Sequence, residues 1–301
     1  ILTTSCAETP DRSRNRNRFR DVSYAGVRTR VHATRAHANR ADANRGHAMR
    51  RPDARFTTLL RRASVLALLL TGAASLAWSQ RGRLFVEPNV AYDGRYTFVR
   101  LRYTQGYRMA WSADYPAMEC NFMSILGELS TLRLHKNQSN VHTLDDPELF
   151  KYPVAYLTEP GYWMPTDREA EGLRNWIAKG GFLIVDDFYF QQQWSVFEES
   201  MMRVLPNARI MPMSVTHPVF NTFFHIKTLE GMTHPATTAA KAQYLGIYKN
   251  NDPSQRLQVI INFNNDIGDY MEWSGGGWYP VNLSNDAYKF ATNYVVYGLT
   301  H

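Results

Sequence analysis

A strand–helix–strand unit between residues 153 and 186 constrains the fold more than any other part of this sequence. The apolar runs Pro153–Leu157 and Phe182–Asp186 each predict a strand. Between them, Thr166 and Glu169 have the spacing of a capping box that begins a helix, and Gly180-Gly181 is a pattern that ends one. A connection of this length joins two parallel strands by a right-handed crossover. The sequence therefore predicts an α/β fold.

Hydrophobic periodicity predicts further elements on both sides of this unit. We expect strands at Tyr96–Tyr103, Arg209–Met213, Gln243–Tyr248 and Leu257–Phe263, and helices at Trp194–Leu205 and Asn285–Leu299. Another helix should begin after Asp114, its candidate N-cap, and bury the stripe formed by Phe122, Ile125, Leu126 and Leu129. No linker rich in Pro, Gly or Ser divides this region, so we expect one domain at residues 83–301.

The first 79 residues differ in composition from the rest of the chain. Residues 1–48 are rich in Arg, Ala, His and Asn and poor in aliphatic side chains, so we expect a disordered leader that is not part of the natural product. Residues 49–79 combine arginines, an apolar run and the small-x-small sequence Ala77-Trp78-Ser79, which predicts a signal peptide and an exported, periplasmic domain. The alternative is an uncleaved membrane anchor, with residues 61–77 tethering a domain that faces the periplasm.

The charge of the chain resides in this leader. The first 80 residues contain 15 Arg and 5 acidic side chains, so the remainder contains 19 basic and 22 acidic ones. An acidic domain is not expected to bind nucleic acid. Two cysteines in 301 residues also exclude a disulfide-rich scaffold.

Polar residues follow two predicted strands at their carboxyl ends, where open parallel sheets bind ligands. Two adjacent carboxylates after an apolar strand lose hydration and repel each other, so a helix N-terminus, an arginine or a ligand must compensate them. We expect a polar cleft with aromatic walls there, and its candidate ligand-binding residues are Glu159, Asp186, Asp187, Tyr189, Trp111 and Trp163.

A purely structural role for the two aspartates is the alternative. In that case one of them caps the following segment and the other pairs with Arg100 or Arg102. The segment from Asn262 to Asp269 is rich in oxygen ligands, but it lacks the spacing of a calcium loop and predicts a loop held by Asx turns. The sequence therefore predicts no metal site and no cofactor.

Several blocks of this sequence, taken together, resemble the bacterial domain-of-unknown-function family 4159 over residues 83–301. The blocks are 98–103 (FVRLRY), 180–188 (GGFLIVDDF), 217–220 (HPVF), 264–269 (NNDIGD) and 293–301 (NYVVYGLTH). The resemblance implies an offshoot of the class I glutamine amidotransferase-like fold, with a flavodoxin-like, mostly parallel sheet and helices on both faces. It also implies export or membrane anchoring, and companionship with ATPase and von Willebrand-type proteins.

The same resemblance indicates what is absent. Amidotransferases of that fold carry a Gly-x-Cys-x-Gly elbow where this chain has Val185-Asp186-Asp187-Phe188-Tyr189, so thiol-based glutamine hydrolysis is not expected. We therefore expect an exported, non-catalytic binding or scaffolding domain for a polar ligand or a protein partner. The alternative is a carboxylate-dependent, metal-assisted hydrolase of a glycoside or amide, in which Asp186 or Asp187 acts with Glu159. A membrane-tethered assembly factor is a third reading.

Overall fold

Seven strands form one sheet in the computed structural model, which describes residues 86–105, 110–232 and 240–301. The strands are β1 (Tyr96–Arg102), β2 (Leu134–Thr143), β3 (Val154–Thr158), β4 (Phe182–Phe188), β5 (Met211–Pro212), β6 (Gln243–Tyr248) and β7 (Leu257–Phe263). Their order across the sheet is β2-β1-β3-β4-β7-β6-β5. The first five in that order are parallel, whereas β6 is antiparallel to β7 and β5 to β6. The predicted α/β class, with a mostly parallel sheet, is confirmed.

Five α-helices accompany the sheet in the described part of the chain. They are α1 (Ala117–Leu129), α2 (Asp167–Ala178), α3 (Phe190–Val204), α4 (Ile267–Glu272) and α5 (Val281–Thr300). The predicted capping box of α2 is present, because the Thr166 hydroxyl accepts from the Glu169 amide and the Glu169 carboxylate accepts from the Thr166 amide. This pair satisfies two amides that the first turn of a helix leaves without partners.

The sheet is buried on both faces. Phe182 and Ile184 of β4 pack in a cluster with buried residues of α1, α4 and α5. Leu183 and Val185 point to the opposite face, because side chains alternate along a strand, and they are also completely buried. The approach of α5 is close: a Cβ at Gly298 would lie 2.6 Å from a methyl carbon of Val154. This packing fixes the strand ends that carry the candidate site.

All six predicted strands and all four predicted helices are found; β6 and β7 have the predicted bounds, whereas the other four strands have shifted ends. The helix expected at Trp194–Leu205 begins four residues earlier, at Phe190, and the helix expected at Asn285–Leu299 begins at Val281. The strand expected at Arg209–Met213 is reduced to Met211–Pro212. Strand β2 was not expected, because its sequence is mostly polar and lacks apolar alternation; it lies at the edge of the sheet, where several of its side chains are exposed.

The prediction for the start of α1 was wrong in an informative way. Asp114 is not the N-cap: it has a left-handed φ of 62°, and α1 begins only after Pro116. The predicted apolar stripe is also only half right, because Phe122 and Leu126 are buried while Ile125 and Leu129 are exposed. The side chain of Asp114 is therefore available for a different role.

The predicted leader and signal peptide, residues 1–79, lie outside the described residues. Among the helices of the described ranges, none combines the length and the apolar character needed to cross a membrane.

Candidate functional site

The carboxyl ends of β3, β4 and β7 carry polar residues in the left-handed backbone region. Glu159 follows β3 with φ 44°, Asp187 lies near the end of β4 with φ 60°, and Asn264 follows β7 with φ 55°. Left-handed conformations cost energy for residues other than glycine and concentrate at functional sites. The Asn264 side chain accepts a hydrogen bond of 2.9 Å from the amide of Phe190, which ties the end of β7 to the beginning of α3.

Asp186 is completely buried and is held by three donors. Its Oδ2 accepts hydrogen bonds from the Tyr156 hydroxyl (2.8 Å) and from the amides of Ile267 (2.8 Å) and Gly268 (3.0 Å). The two amides belong to the first turn of α4, which follows β7, and not to the segment that follows Asp186. The expectation that an aspartate caps its own following segment is therefore wrong for Asp186.

Three carboxylates from different parts of the chain converge beside Asp186. Asp114, Asp187 and Asp266 each place one oxygen within 4.8 Å of an oxygen of the other two, and we call these three residues the carboxylate cluster. Asp187 and Asp266 are both more than nine-tenths buried. Asp266 hydrogen-bonds to Asp187 and, as the N-cap of α4, accepts from the amide of Asp269 at 2.8 Å.

Burial and crowding raise the pKa values of these acids. Burial, the charge of Glu159 and the charge of Asp186 raise the pKa of Asp187 to about 8. Burial raises the pKa of Asp186 to about 6, with the Tyr156 hydrogen bond opposing the rise. The pKa values of Asp114 and Asp266 also lie well above the ordinary range, because both groups are buried and both face the charge of Asp187.

Arg100 forms no ion pair with the cluster, although its charge opposes the rise in the pKa of Asp114. Arg100 is completely buried and forms an ion pair with Glu119 of α1 instead of the predicted pair with Asp186 or Asp187. A second nitrogen of its guanidinium, Nη1, donates to the carbonyls of Trp111 (3.2 Å) and Ala113 (2.6 Å). Arg100 therefore fixes the backbone immediately before Asp114, and no ion pair between described residues involves the three cluster carboxylates.

The rim of the site contains further carboxyl and phenol groups. Asp269 and Glu272 of α4, both half-buried, form a second acidic group with Asp114, since their oxygens also lie within 4.8 Å of one another. The Tyr279 hydroxyl donates to Asp269 at 2.7 Å. Burial, together with the charges of Asp266 and Asp187, raises the pKa of Tyr189, which places this predicted site residue beside the cluster.

The two tryptophans that were predicted to line the cleft, Trp111 and Trp163, are buried. Trp163 is completely buried and Trp111 is 6% exposed, so neither ring faces an open cleft. Trp163 packs against the Tyr103 ring, and the Trp111 carbonyl is held by Arg100. Both rings therefore belong to the buried part of the domain.

Of the six predicted site residues, the structure brings Asp186, Asp187, Glu159 and Tyr189 together and leaves the two tryptophans in the core. Sequence reasoning missed Asp114 and Asp266 as members of the site. Asp266 lies in the oxygen-rich segment that was interpreted as an Asx-turn loop, and its capping role fits that interpretation. The signal for Asp114 was a lone aspartate before a Tyr-Pro pair, which predicts a cap as readily as a ligand.

The comparisons with known proteins bear on the family. No curated protein matches this chain. The family model described as "Domain of unknown function (DUF4159)" matches residues 97–299, which include every strand of the sheet except the first residue of β1, and all of the cluster. With two thirds of its residues covered by that match, the chain belongs to the DUF4159 family.

Proposed function

We propose that this domain is a binding module whose carboxylate cluster takes a positively charged group of a ligand or partner. The observation that carries the proposal is the convergence of Asp114, Asp187 and Asp266, largely buried, without a cationic side chain among the described residues to pair with them. Buried charges are normally paired or bound to a metal. A site of this kind stays protonated, or it is completed by a cation from outside.

Electrostatics favours completion by a cation at neutral pH. Two ionised carboxylates 4 to 5 Å apart repel by about 4 kcal/mol at the effective dielectric constant of a protein surface, and the third adds to this. A cation that contacts all three oxygens adds an attraction to each carboxylate, and these attractions offset the repulsion between them.

A thermal-shift experiment on the full chain tests the proposal. At pH 7.5 and constant ionic strength, unfolding is followed with Mg²⁺, Mn²⁺, Ca²⁺, spermidine or arginine amide. At least one of these cations is expected to raise Tm in a saturable manner, and Asp187→Asn is expected to remove the effect. Glu198→Gln, which removes an exposed carboxylate from α3, is the matched control and should keep it. If no cation raises Tm, or if both variants respond equally, the proposal is wrong.

A carboxylate-dependent hydrolase is the second candidate, and one observation favours it. Asp187 has a left-handed conformation near the end of the buried strand β4, and the pKa of Asp186 beside it is about 6, against about 8 for Asp187. Acids whose pKa values are pushed apart can serve as a base and an acid near neutral pH. Turnover of chromogenic ester, amide or glycoside substrates that is lost in Asp187→Asn would favour this candidate over a pure binding module.

Two further parts of the proposal concern the type of α/β fold and the cellular location of the domain. We propose a flavodoxin-like sheet related to the class I glutamine amidotransferase-like fold, which the parallel order β2-β1-β3-β4-β7 supports. Export to the periplasm, with or without a retained membrane tether, rests on the sequence pattern of residues 49–79 alone. Intact-mass analysis of the secreted protein distinguishes a cleaved chain beginning near Gln80 from a tethered one.

A further inference from the structure

We infer that the positively charged group is a hard divalent metal ion bound by Asp114, Asp187 and Asp266. This inference rests on the proposed function and narrows its ligand to one chemical class. The donor set consists of carboxylate oxygens, with no histidine or cysteine among the described residues of the group. Oxygen-only donors suit Mg²⁺, Mn²⁺ or Ca²⁺ rather than zinc or copper.

An unsatisfied oxygen points into this group. Oδ2 of Asp114 is fully buried and accepts no hydrogen bond. It lies close to the Tyr156 hydroxyl and to Oδ1 of Asp266, because a Cβ placed on Gly268 would contact all three of these atoms. The neighbouring Asp186 is completely buried, and its Oδ1 accepts no hydrogen bond either. A buried carboxylate oxygen without a donor costs free energy that a bound cation recovers.

The spacing and the enclosure of the oxygens favour a small metal ion. Metal–oxygen distances of about 2.0 to 2.6 Å place two ligands of one ion no more than about 5 Å apart, and the three oxygens lie within 4.8 Å of one another. Asp187 and Asp266 are 8% and 5% exposed and Asp114 is half-buried, and this degree of enclosure favours a small ion over a bulkier organic amine. Water supplies the remaining ligands of such an ion, as is usual for Mg²⁺.

Different parts of the backbone hold the three ligands in place. Arg100, as a positioning residue, binds the carbonyls of Trp111 and Ala113 just before Asp114. Asp266 is fixed as the N-cap of α4, and Asp187 by its place near the end of β4. The absence of a side chain at Gly268 makes room for Asp114, because a Cβ at position 268 would lie 2.6 Å from Oδ2 of Asp114. Ligands fixed in this way lose little entropy on metal binding.

Isothermal titration of the full chain with Mn²⁺ at pH 7.5, after removal of metals with a chelator, tests the inference. We expect saturable binding to one site, competed by Mg²⁺ or Ca²⁺. Asp114→Asn, Asp187→Asn and Asp266→Asn should each weaken binding at least about ten-fold, because losing a direct ligand should cost no less than losing a residue that merely supports one. Asn at position 266 can still cap α4, so a folding defect is not expected there.

Two controls make the outcomes decisive. Glu198→Gln removes an exposed carboxylate outside the cluster and should bind Mn²⁺ like the unaltered chain. Circular dichroism of each variant in chelator shows whether a loss of binding reflects a loss of folding. Absence of Mn²⁺ binding, or equal binding by Asp187→Asn and Glu198→Gln, overturns the inference. If spermidine or arginine amide still stabilises the chain through Asp187, the proposed function survives while the metal is excluded; if nothing binds, both fail.

Discussion

Replacing Asp187 by asparagine should stabilise this domain at neutral pH in the presence of a chelator. The side chain is 8% exposed, and burial with the charges of Glu159 and Asp186 raises its pKa to about 8 from an ordinary value of 3.8. Between these two values the folded state binds a proton that the unfolded state does not. Stability therefore falls as the pH rises through this window. Asparagine has the same shape, stays neutral and carries no such penalty.

The two pKa values set the size of the effect. At 1.36 kcal/mol for each unit between pKa 3.8 and pH 7, protonating Asp187 costs the folded state at most about 4 kcal/mol. At pH 4 the same arithmetic leaves less than about 1 kcal/mol. The acids of the cluster share their protons, so the measured effect can be smaller than this maximum. We expect Asp187→Asn to raise the free energy of unfolding at pH 7 by about 1 to 4 kcal/mol. For a domain of this size, each kcal/mol raises Tm by about 2 to 4 °C.

Urea unfolding of the unaltered chain and of Asp187→Asn at pH 4, 6 and 8, in chelator, measures this difference. The gain should grow with pH and nearly vanish at pH 4. Glu198→Gln, exposed on α3, should stay within about 0.5 kcal/mol of the unaltered chain at every pH. A gain that is the same at pH 4 and pH 8, or a loss at pH 8, would refute the view that Asp187 is an electrostatically strained acid.

Three further substitutions test other parts of the structure. Thr166→Ala removes the side-chain half of the capping box with Glu169 and should lower the free energy of unfolding by about 1 kcal/mol in urea denaturation. Arg100→Met leaves Glu119 buried without its partner and should cost about 3 to 5 kcal/mol, and a loss below 1 kcal/mol would contradict the importance of this pair. Gly268→Ala introduces a Cβ 2.6 Å from a cluster oxygen and should weaken Mn²⁺ binding with little change in circular dichroism; unchanged affinity would show that this close approach is unimportant.

The fold was predictable where local signals agreed with tertiary packing. The capping box at Thr166 and the apolar run of β4 specify α2 and its neighbouring strands, because both signals act within a few residues. Strand β2 escaped prediction because it is a polar edge strand whose pairing with β1 is a long-range property. The early start of α5 at Val281 escaped too, since its first turn is exposed and shows no apolar periodicity.

The candidate site was only partly predictable for a related reason. Asp186 and Asp187 could be found because they end an apolar strand, and the rule for parallel sheets places ligands there. Asp114 joins them from a loop more than 70 positions earlier in the chain, and only the folded chain brings it to Asp266. The failure of Trp111 and Trp163 as cleft walls has the same origin, since composition reports aromatic content but not which rings are buried.

Anomalous diffraction from crystals of the full chain grown with Mn²⁺ tests most directly whether the carboxylate cluster is the ligand site of this domain. The proposal predicts an anomalous peak within coordination distance of Asp114, Asp187 and Asp266, and no such peak there in crystals of Asp187→Asn. A well-ordered cluster without a peak at saturating Mn²⁺, or a peak only at exposed surface carboxylates, would contradict it.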